Sequence, residues 1–433
     1  KGSVTDGHRF IPDAVGRGAA LVICSDRVTP PPAGVSVLCV PDTKAALETI
    51  LDTLYPRART LPLVGVTGTN GKTTTTYLVE SVMANSGMRP GLIGTIEVRF
   101  GGARASSSLT TPGPVDLYEL LHTMQERGMG ACVMEVSSHA LDQNRLPGVM
   151  FDCAVFTNLT QDHLDYHRDM ESYFQAKKRL FTEHLRGRAV LNADDTYGRR
   201  LAAEMQDACT YGFGLQAHIH PTHLDISKDG ISLLLSTPGG EIPLRSALKG
   251  RMNASNIMAA VGACLVMGLP PDAIEKGVSS LKGVPGRMEA VPNARGLMIL
   301  VDYAHTPAAL DAALTNARAL TGGRLMVVFG CGGDRDRTKR PVMGSIAAAR
   351  ADVVFVTSDN PRSEDPMDII RDIVSGVPGG ANVVVEPDRA RAIRTAIDAM
   401  NPQDCLVIAG KGHEDYQVVG VTRIPFDDRS CVR

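Results

Sequence analysis

Short apolar runs alternate with helix-like stretches along most of this chain of 433 residues. The runs at 61–67, 131–136 and 151–159 are almost continuous, as in strands that are buried on both faces of a sheet. Strands that alternate with helices form parallel βαβ units. The pattern therefore predicts an α/β protein built on parallel sheets, with room for about two to four domains at this length.

The pattern divides the chain into three blocks. Residues 1–40 hold one predicted helix and two predicted strands, which is too little for a complete domain. Residues 41–285 contain the three apolar runs, a predicted helix over 171–185 and short predicted antiparallel strands over 217–248. Residues 286–433 contain five apolar runs with helices between them, which predicts a doubly wound sheet.

The composition argues against several classes of function. Lys and Arg total 45 against 47 Asp and Glu, so we expect no partnership with nucleic acid and no membrane binding. No apolar run approaches the roughly 18 residues that a membrane span needs. The nine cysteines form no C-x-x-C pair, and most lie in apolar runs. They predict buried thiols in a reduced, cytoplasmic protein.

A glycine-rich turn follows the apolar run at 61–67 and precedes a predicted helix. It reads Gly68, Thr69, Asn70, Gly71, Lys72, Thr73, Thr74 and is a variant of the Walker motif, with Val66 where the strict pattern has glycine. Backbone N–H groups of such a turn surround phosphate oxygens. Lys72 can then reach the β- and γ-phosphates, and Thr73 can hold Mg²⁺. The alternative is a glycine-rich turn with a chance lysine, which the flanking strand and helix disfavour.

Two acidic features follow successive apolar runs of the second block. Glu135 lies at the end of the run at 131–136. A carboxylate at this position can bind Mg²⁺ directly or through a water molecule. The alternative is an acid at a strand end that only contacts solvent. Asp162, His163 and Asp165 follow the run at 151–159. They could bind Mg²⁺, with one histidine among oxygen ligands. The alternative is that these acids cap the N-terminus of a helix.

Lys177 falls in the middle of an apolar stripe on the predicted helix over 171–185. A desolvated lysine has a lowered pKa and is a nucleophile as the neutral amine. Such an amine reacts with CO₂ to give a carbamate, which is an anionic metal ligand. A snorkelling lysine is the alternative, and the spacing alone favours it.

Charged, glycine-containing segments follow the strands of the third block. They lie at 302–307, 330–341, 359–362 and 410–415. Because the carboxyl ends of parallel strands meet at one edge of a sheet, we expect these segments to converge. Guanidinium groups there suit carboxylates, and acids suit an ammonium group, which describes an amino-acid pocket with an extra carboxylate. For 359–362 alone, a simple turn is the alternative.

These motifs together resemble the Mur ligases of peptidoglycan synthesis. The resemblance rests on 65–74, 135–141 and 162–167, and the later charged motifs are similar to those of the members that add the third residue of the stem peptide. It implies a cytoplasmic protein with three-domain α/β Mur ligase architecture. Residues 1–40 are then an N-terminal UDP-substrate domain that is truncated, because the family's domain extends further upstream. Residues 41–285 are a P-loop ATPase-like, ATP-binding domain, and 286–433 are a Rossmann-like, amino-acid-binding domain.

The resemblance also implies an activity, that of an ATP-dependent amide-bond ligase. Such an enzyme adds meso-diaminopimelate to UDP-MurNAc-L-Ala-D-Glu. ATP phosphorylates the D-glutamate side-chain carboxylate, and the incoming amine attacks the acyl phosphate to give an amide and phosphate. The implied cofactors are ATP, Mg²⁺ and a carbamate on Lys177. Both other substrates are small molecules, and a monomer is expected.

The resemblance assigns roles to individual residues. Catalytic roles fall to Lys72, Lys177, Glu135 and His163. The nucleotide contacts are Gly68, Thr69, Asn70, Gly71, Lys72, Thr73, Thr74, Asn256, Arg287, Asp302 and His305. The metal ligands are Thr73, Glu135, His163 and the carbamate of Lys177. The UDP-sugar peptide contacts are Thr110, Thr111, Ser137, Gln143 and Arg145, and the amino-acid pocket holds Arg335, Asp359, Asn360, Arg362, Gly410 and Glu414.

Three alternatives compete with this interpretation. A lysine-adding Mur ligase usually differs at 359–362, where Arg362 can pair with the carboxylate that lysine lacks. A folylpolyglutamate synthetase shares the phosphate loop and the carbamate lysine but should lack the later charged motifs. A non-catalytic module that switches with ATP needs neither a buried lysine nor an amino-acid pocket.

Overall fold

The N-terminal part forms a small parallel sheet. A computed structural model of the chain describes residues 5–26, 28 and 32–433, so 1–4, 27 and 29–31 of the predicted N-terminal domain lie outside the described residues. A 3-10 helix precedes α1, and the two strands pair in parallel. The bounds are Gly7–Phe10 for the 3-10 helix, Ile11–Gly16 for α1, Leu21–Cys24 for β1 and Ser36–Cys39 for β2.

The middle part contains a mixed sheet and an antiparallel meander. Its helices are α2 (Thr43–Leu54), α3 (Lys72–Asn85), α4 (Pro114–Glu126), α5 (Ser138–Asp142), α6 (Leu164–His167), α7 (Met170–Thr182), α8 (Thr196–Glu204), α9 (Arg251–Val266) and α10 (Pro271–Ser280). Its strands are β3 (Leu63–Thr67), β4 (Pro90–Ile93), β5 (Glu97–Phe100), β6 (Ala103–Ser106), β7 (Ala131–Glu135), β8 (Phe151–Phe156), β9 (Leu185–Asn192), β10 (Cys209–Tyr211), β11 (His220–Ser227), β12 (Gly230–Thr237) and β13 (Gly240–Ser246).

The mixed sheet has the order β10-β9-β8-β3-β7-β4-β5-β6. Strands from β10 to β4 run parallel, and β5 and β6 continue the sheet antiparallel. One face packs on α3, α9 and α10 through residues such as Leu78 and Ile257, and the other packs on α2, α4 and α7 through residues such as Leu117 and Phe174. Because both faces are covered, the central strands are apolar throughout.

The last part is a doubly wound sheet, as predicted, followed by a two-stranded ribbon that was not predicted. Its helices are α11 (Pro307–Arg318), α12 (Lys339–Arg350), α13 (Pro366–Val374), α14 (Arg389–Asp398) and α15 (Asp428–Val432). Its strands are β14 (Glu289–Ala290), β15 (Met298–Asp302), β16 (Leu325–Phe329), β17 (Val353–Val356), β18 (Val383–Val385), β19 (Cys405–Ala409), β20 (Tyr416–Val419) and β21 (Thr422–Pro425). The sheet has the order β14-β15-β19-β16-β17-β18, and β20 and β21 form the ribbon. Helices α11 to α13 cover one face, and α14 and α15 cover the other.

Two predicted boundaries were wrong. The helix predicted over 171–185 ends at Thr182, and Leu185 begins β9 instead, where it pairs with Phe151. Leu185 continued the apolar stripe of the helix, but a strand that is buried beside β8 needs the same kind of residue. The strand predicted over 151–159 ends at Phe156, and the chain beyond it turns back over the phosphate loop.

Within the described residues, no helix combines the length and the apolar character that crossing a membrane requires.

Candidate active site

The glycine-rich turn joins β3 to α3 at the middle of the mixed sheet. Two of its glycines have backbone conformations that other residues rarely adopt, with φ of 146° at Gly68 and 87° at Gly71. A side chain at Gly68 would collide with Thr157, and one at Gly71 would collide with Asn256. The tight turn therefore depends on glycine, and it brings the predicted nucleotide residue Asn256 of α9 against the loop.

The end of β8 holds this loop in place. The amide of Asn70 donates to Asn158 Oδ1 at 2.9 Å, and the amide of Thr69 donates to the carbonyl of Asn158 at 2.8 Å. The hydroxyl of Thr157 donates to the carbonyl of Asn70 at 2.6 Å. Thr157 and Asn158 were not among the predicted site residues. The only signal for them was their position near the end of the apolar run at 151–159.

Two lysine side chains donate hydrogen bonds to backbone carbonyls of the loop. Lys72 Nζ donates to the carbonyls of Gly68 and Thr69, each at 2.8 Å, and Lys177 Nζ donates to the same Gly68 carbonyl at 2.9 Å. Lys177 is only 1% exposed, so the snorkelling interpretation is wrong. Burial, and then the nearby charge of Lys72, lower the pKa of Lys177 well below its ordinary value. This environment favours the neutral, nucleophilic amine.

Glu135 is a buried carboxylate, not a solvated strand-end acid. One of its oxygens accepts the amide of Thr95 at 2.8 Å, and the other accepts the Thr95 hydroxyl at 2.9 Å. The Thr95 hydroxyl also lies 3.1 Å from that of Thr110, a predicted substrate residue. Thr95 was missed because nothing in the sequence around it marks it as part of a site.

His163 begins α6 with a positive φ of 53°. Its amide donates to its neighbour Asp162 at 2.8 Å, and its ring lies edge-on to that of His139, with centroids 4.8 Å apart. Burial is the main cause that lowers the pKa of His163, although Asp162 opposes it. A neutral imidazole is the form that binds a metal ion.

The metal-capable residues suit Mg²⁺ rather than a metal with an all-protein cage. In the described part of the chain, no three His, Cys, Asp or Glu side chains converge as a metal site. Mg²⁺ usually takes one or two carboxylates and fills its other positions with phosphate oxygens and water. The Glu135 carboxylate and the Thr73 hydroxyl at the phosphate loop fit that requirement.

The residues predicted for the UDP-sugar peptide cluster beside Glu135. The buried Thr111 donates its hydroxyl to the Glu135 carbonyl at 2.9 Å and accepts the Ser137 amide at 3.0 Å. Arg145 donates from Nη1 to the Thr111 carbonyl at 3.2 Å and from Nε to Gln143 Oε1 at 3.0 Å. The structure thus brings the predicted contacts together along the ends of β7 and α5.

Three residues predicted to contact the nucleotide lie in the last part of the chain. Arg287 Nη2 donates to Thr73 Oγ1 of the phosphate loop at 3.2 Å, and its guanidinium lies 4.9 Å from the centre of the Tyr303 ring. Within the described residues, Arg287 Nε is buried without a hydrogen-bond partner. Asp302 accepts two backbone amides, and burial raises its pKa. His305 Nδ1 lies 2.8 Å from the Tyr303 carbonyl.

The predicted amino-acid pocket lies at the carboxyl ends of β16, β17 and β19. Asn360 donates from Nδ2 to Glu414 Oε2 at 3.0 Å, and the buried Lys411 donates to the same oxygen at 2.9 Å. Asp359 is buried beside Gly410, whose φ is 113°. Lys411 was missed, although it lies within the 410–415 segment that sequence reasoning singled out.

Two arginines lie at the other side of this pocket. Arg362 has a positive φ of 52° and donates from Nη1 to the Gly333 carbonyl at 2.8 Å. Arg335 is exposed, and its Cγ would lie 3.7 Å from a Cβ at Gly332, while Arg362 Nη1 would lie 2.8 Å from it. Both guanidinium-bearing side chains therefore flank the same glycine. The 359–362 segment is more than a simple turn, because its side chains join the loops after β16 and β19.

The site combines a phosphate loop with a buried lysine, and Arg287 links this loop to a second sheet that carries a charged pocket. Such an arrangement suits an ATP-dependent ligase. A model of the Mur ligase middle domain matches residues 66–264, and a model described as "Mur ligase, glutamate ligase domain" matches residues 286–412. The chain belongs to the Mur ligase family of ATP-dependent ligases. The predicted Mur ligase fold class is thereby confirmed.

Named relatives align over the whole chain. It is 49% identical to the UDP-N-acetylmuramoyl-L-alanyl-D-glutamate–2,6-diaminopimelate ligase of Gloeobacter violaceus, covering 100% of this chain and 89% of that protein. It is 47% identical to the protein of the same name from Geobacter metallireducens, with the same coverage. A solved structure of a ligase of that name superposes with a TM-score of 0.69 at 34% identity, covering 98% of this chain and 88% of that one. A Mycobacterium tuberculosis folylpolyglutamate synthase shares the fold, with a TM-score of 0.69 at 19% identity.

Proposed function

We propose that this chain adds meso-diaminopimelate to UDP-MurNAc-L-Ala-D-Glu with ATP, a step in the synthesis of peptidoglycan precursors. The observation that carries the proposal is the Lys177 amine, which is buried 2.9 Å from the Gly68 carbonyl of a phosphate loop. A nucleotide-binding module that only switches with ATP gains nothing from such a group. An enzyme that must stabilise charge on a phosphoryl group in transfer does.

The phosphate loop and the end of β15 are the proposed ATP site. Lys72 is ready to exchange its bonds to the Gly68 and Thr69 carbonyls for phosphate oxygens. Arg287, whose Nε is unpartnered among the described residues, adds a second cation beside Thr73. Both cations offset negative charge as the γ-phosphoryl group moves to the carboxylate.

Mg²⁺ is the proposed metal, and its residues are Thr73, Glu135 and His163. When bound, it would neutralise phosphate oxygens and orient the phosphoryl group. Thr95 fixes Glu135 through both carboxylate oxygens, so the carboxylate is oriented before any ligand arrives. Such preorganisation avoids a reorganisation cost during the reaction.

Lys177 is proposed to carry a carbamate that supports the metal. Three features of this chain support the modification. The amine is buried, its pKa is strongly lowered, and Lys177 Nζ lies 4.6 Å from the centre of the Tyr173 ring. Carbamate formation joins the neutral amine nitrogen to the carbon of CO₂, releases one proton and leaves an anion beside the Lys72 ammonium group. That change adds an opposite-charge attraction to Lys72 and supplies an oxygen ligand.

The incoming amino acid is proposed to bind between the loops after β16, β17 and β19. Asp359 and Glu414 suit the ammonium group, and Arg335 and Arg362 suit carboxylates. Diaminopimelate has a carboxylate that lysine lacks, and Arg362 is the proposed reader of that group. Thr110, Thr111, Ser137, Gln143 and Arg145 are the proposed contacts to the UDP-sugar peptide.

The remaining parts of the proposal concern organisation. Residues 1–40, 41–285 and 286–433 are the proposed UDP-substrate, ATP-binding and amino-acid-binding domains. A cytoplasmic monomer with small-molecule substrates is the proposed working form. Closure of the last domain on the middle one would hold the amine against the acyl phosphate and exclude water.

Phosphate release from ATP tests the proposed function. The chain is mixed with ATP, Mg²⁺, UDP-MurNAc-L-Ala-D-Glu and meso-diaminopimelate, and each component is left out in turn. We expect sustained release only in the complete mixture, because turnover needs the amine to consume the acyl phosphate. Release that continues without the UDP-linked substrate would indicate a different enzyme or a simple ATPase.

A further inference from the structure

The two arginines of the proposed amino-acid pocket come from different loops. Arg335 lies in the loop between β16 and α12, and Arg362 lies in the turn after β17. Arg362 reaches the first loop with one hydrogen bond, from Nη1 to the Gly333 carbonyl at 2.8 Å. The backbone joins the same two loops once more, because the Gly333 amide donates to the Asn360 carbonyl at 2.9 Å. Both bonds act close to Arg362, so the placement of Arg335 relative to it also depends on what holds the loops from beneath.

Arg340, the second residue of α12, lies beneath both loops and is completely buried. Its Nη1 donates to Glu364 Oε2 and to Asp372 Oδ2, each at 2.9 Å. Its Nη2 donates to Glu364 Oε1 at 2.7 Å and to the Gly332 carbonyl at 3.3 Å. One guanidinium therefore holds the loop after β16, the turn after β17 and α13.

A second set of bonds closes around the same carboxylate. The Asp334 amide donates to Glu364 Oε1 at 2.6 Å, and Asp334 accepts the Ser363 hydroxyl at 2.6 Å and the Ser363 amide at 3.2 Å. Asp334 and Arg362 have positive φ values of 53° and 52°. Non-glycine residues hold that conformation only where their surroundings enforce it. The bonds to Glu364 and Ser363 provide that enforcement.

The shape of the Arg340 guanidinium suits its position between the carboxylates of Glu364 and Asp372. A guanidinium is a flat, rigid fork that pairs with both oxygens of one carboxylate, whereas a lysine ammonium is a point charge on a flexible stem. The hydrogen bond from Arg340 is the main cause that lowers the pKa of Glu364 to about 2. Without the fork, Glu364 and Asp372 would face each other as like charges, and the two loops would lose their common anchor.

We propose that Arg340 is a positioning residue that sets the separation of Arg335 and Arg362 and thereby the affinity for the incoming amino acid. It touches no substrate in this role and acts through Gly332 and Glu364. The inference rests on the proposed function, since it takes the pocket of those two arginines as the site of the amine substrate. It adds a residue to that pocket which lies outside its surface.

The test is the effect of Arg340→Lys on the KM for each substrate. We expect the KM for meso-diaminopimelate to rise about tenfold or more, with kcat and the KM for ATP changed by less than about threefold. The matched control is Arg337→Lys, because Arg337 also pairs with Asp372 but is 63% exposed and does not touch Glu364. Its KM values should equal those of the wild-type protein.

A second variant keeps the inference testable if Arg340→Lys does not fold. Glu364→Gln preserves the volume of the side chain but removes the charge that Arg340 pairs with, at a position that is partly exposed. It should raise the KM for meso-diaminopimelate in the same direction. Unchanged KM values in a folded Arg340→Lys or Glu364→Gln protein, even with a lower thermal midpoint, would overturn the inference and leave only a structural role.

The wild-type protein separates this inference from the proposed function. Wild-type turnover that depends on meso-diaminopimelate, combined with unaltered KM values in both variants, contradicts only the role of Arg340. Absence of wild-type turnover with meso-diaminopimelate contradicts the proposed function itself, and with it the premise of the pocket.

Discussion

Lys177 is the single residue on which the proposed chemistry depends most. Its amine points at the phosphate loop from the apolar side of α7, and burial together with Lys72 keeps it from holding a proton at its ordinary pKa. A lysine of this kind costs stability, because the unfolded chain would hydrate its charge. Its presence at this position therefore indicates a chemical use.

Replacing Lys177 with alanine should abolish ligation while the fold persists. We expect the rate to fall by about a hundredfold or more, because a metal ligand and its charge are lost. Lys178→Ala is the matched control, since Lys178 is the next residue of α7 but pairs with Glu204 at the surface. Turnover and circular dichroism are the measurements, and recovery with short-chain acids would support the carbamate. Wild-type turnover in Lys177→Ala would contradict the role.

The buried amine should also leave a signature in the pH dependence of stability. Between the lowered folded pKa and the ordinary value of 10.5, the unfolded chain binds a proton that the folded chain does not. Stability of the wild-type protein therefore rises with pH through that window. Lys177→Met lacks the penalty, so it should be the more stable protein near neutral pH. Its advantage should shrink as the pH approaches 10.5.

Thermal midpoints of Lys177→Met and the wild-type protein, measured in CO₂-free buffer across this range, check the expectation. An offset between the two midpoints that stays constant with pH would mean that Lys177 is protonated in the folded protein.

Two of the residues that sequence reasoning missed share one property. Thr95 and Arg340 act on other side chains, through Glu135 in one case and Glu364 in the other. A motif shows which residues suit a ligand, but the partners that orient them come from distant segments of the chain. Arg340 lies in a run of charged residues, and only the packing of α12 on α13 shows that it is the buried one.

At the scale of elements, strand ends bring the functional segments together. The loops after β16, β17 and β19 meet because those strands are neighbours in one parallel sheet. The ribbon of β20 and β21 adds to the pocket, since the Arg362 amide donates to the Val418 carbonyl at 3.0 Å. The position of Arg362 is thus set by the turn after β17 that contains it, by the loop after β16 and by the ribbon.

Arg362→Lys should reduce the preference for meso-diaminopimelate over L-lysine. An ammonium group cannot form the two parallel hydrogen bonds that a guanidinium makes with a carboxylate, so we expect the ratio of kcat/KM for the two amines to fall by about tenfold. Arg371→Lys is the control, because Arg371 lies on the exposed side of α13 and its side chain pairs, among the described residues, only with nearby Asp368 and Met367. An unaltered ratio would rule out Arg362 as the reader of the extra carboxylate.

Elements were predictable where the sequence pattern has one interpretation. The strands before the phosphate loop and in the last sheet are apolar runs bounded by turns, and the structure contains them. Strands β5 and β6 were not predicted, since they lie at the edge of the mixed sheet, where β5 is half-buried and β6 is exposed. Leu185 fitted a helix and a strand equally well, and only its pairing with β8 decides between the two.

At the scale of the whole molecule, the boundary near residue 286 determines how the two large sheets meet. Gly286 has a positive φ of 64°, and its amide donates to Glu289 at 2.8 Å. The neighbouring Arg287 reaches the phosphate loop, so this short segment connects the proposed ATP site to the proposed amino-acid pocket.

Gly286→Ala should destabilise this boundary. An added Cβ would collide with the backbone of Gly412 and His413, and alanine is disfavoured at positive φ, so we expect a loss of about 1–3 kcal/mol. Gly283→Ala is the matched control, because a Cβ there meets nothing within 4 Å. Thermal unfolding and turnover are the measurements. Equal midpoints for the two variants would contradict the described packing.

The proposed function requires that this chain join an amine with an extra carboxylate to a UDP-linked peptide. A competition experiment checks that requirement: UDP-MurNAc-L-Ala-D-Glu, ATP and Mg²⁺ are incubated with equal amounts of meso-diaminopimelate and L-lysine, and the products are identified by mass spectrometry. We predict that the diaminopimelate product dominates. A dominant lysine product would leave the ligase in place and contradict the proposed role of Arg362, and the absence of any ligated product would contradict the proposed function itself.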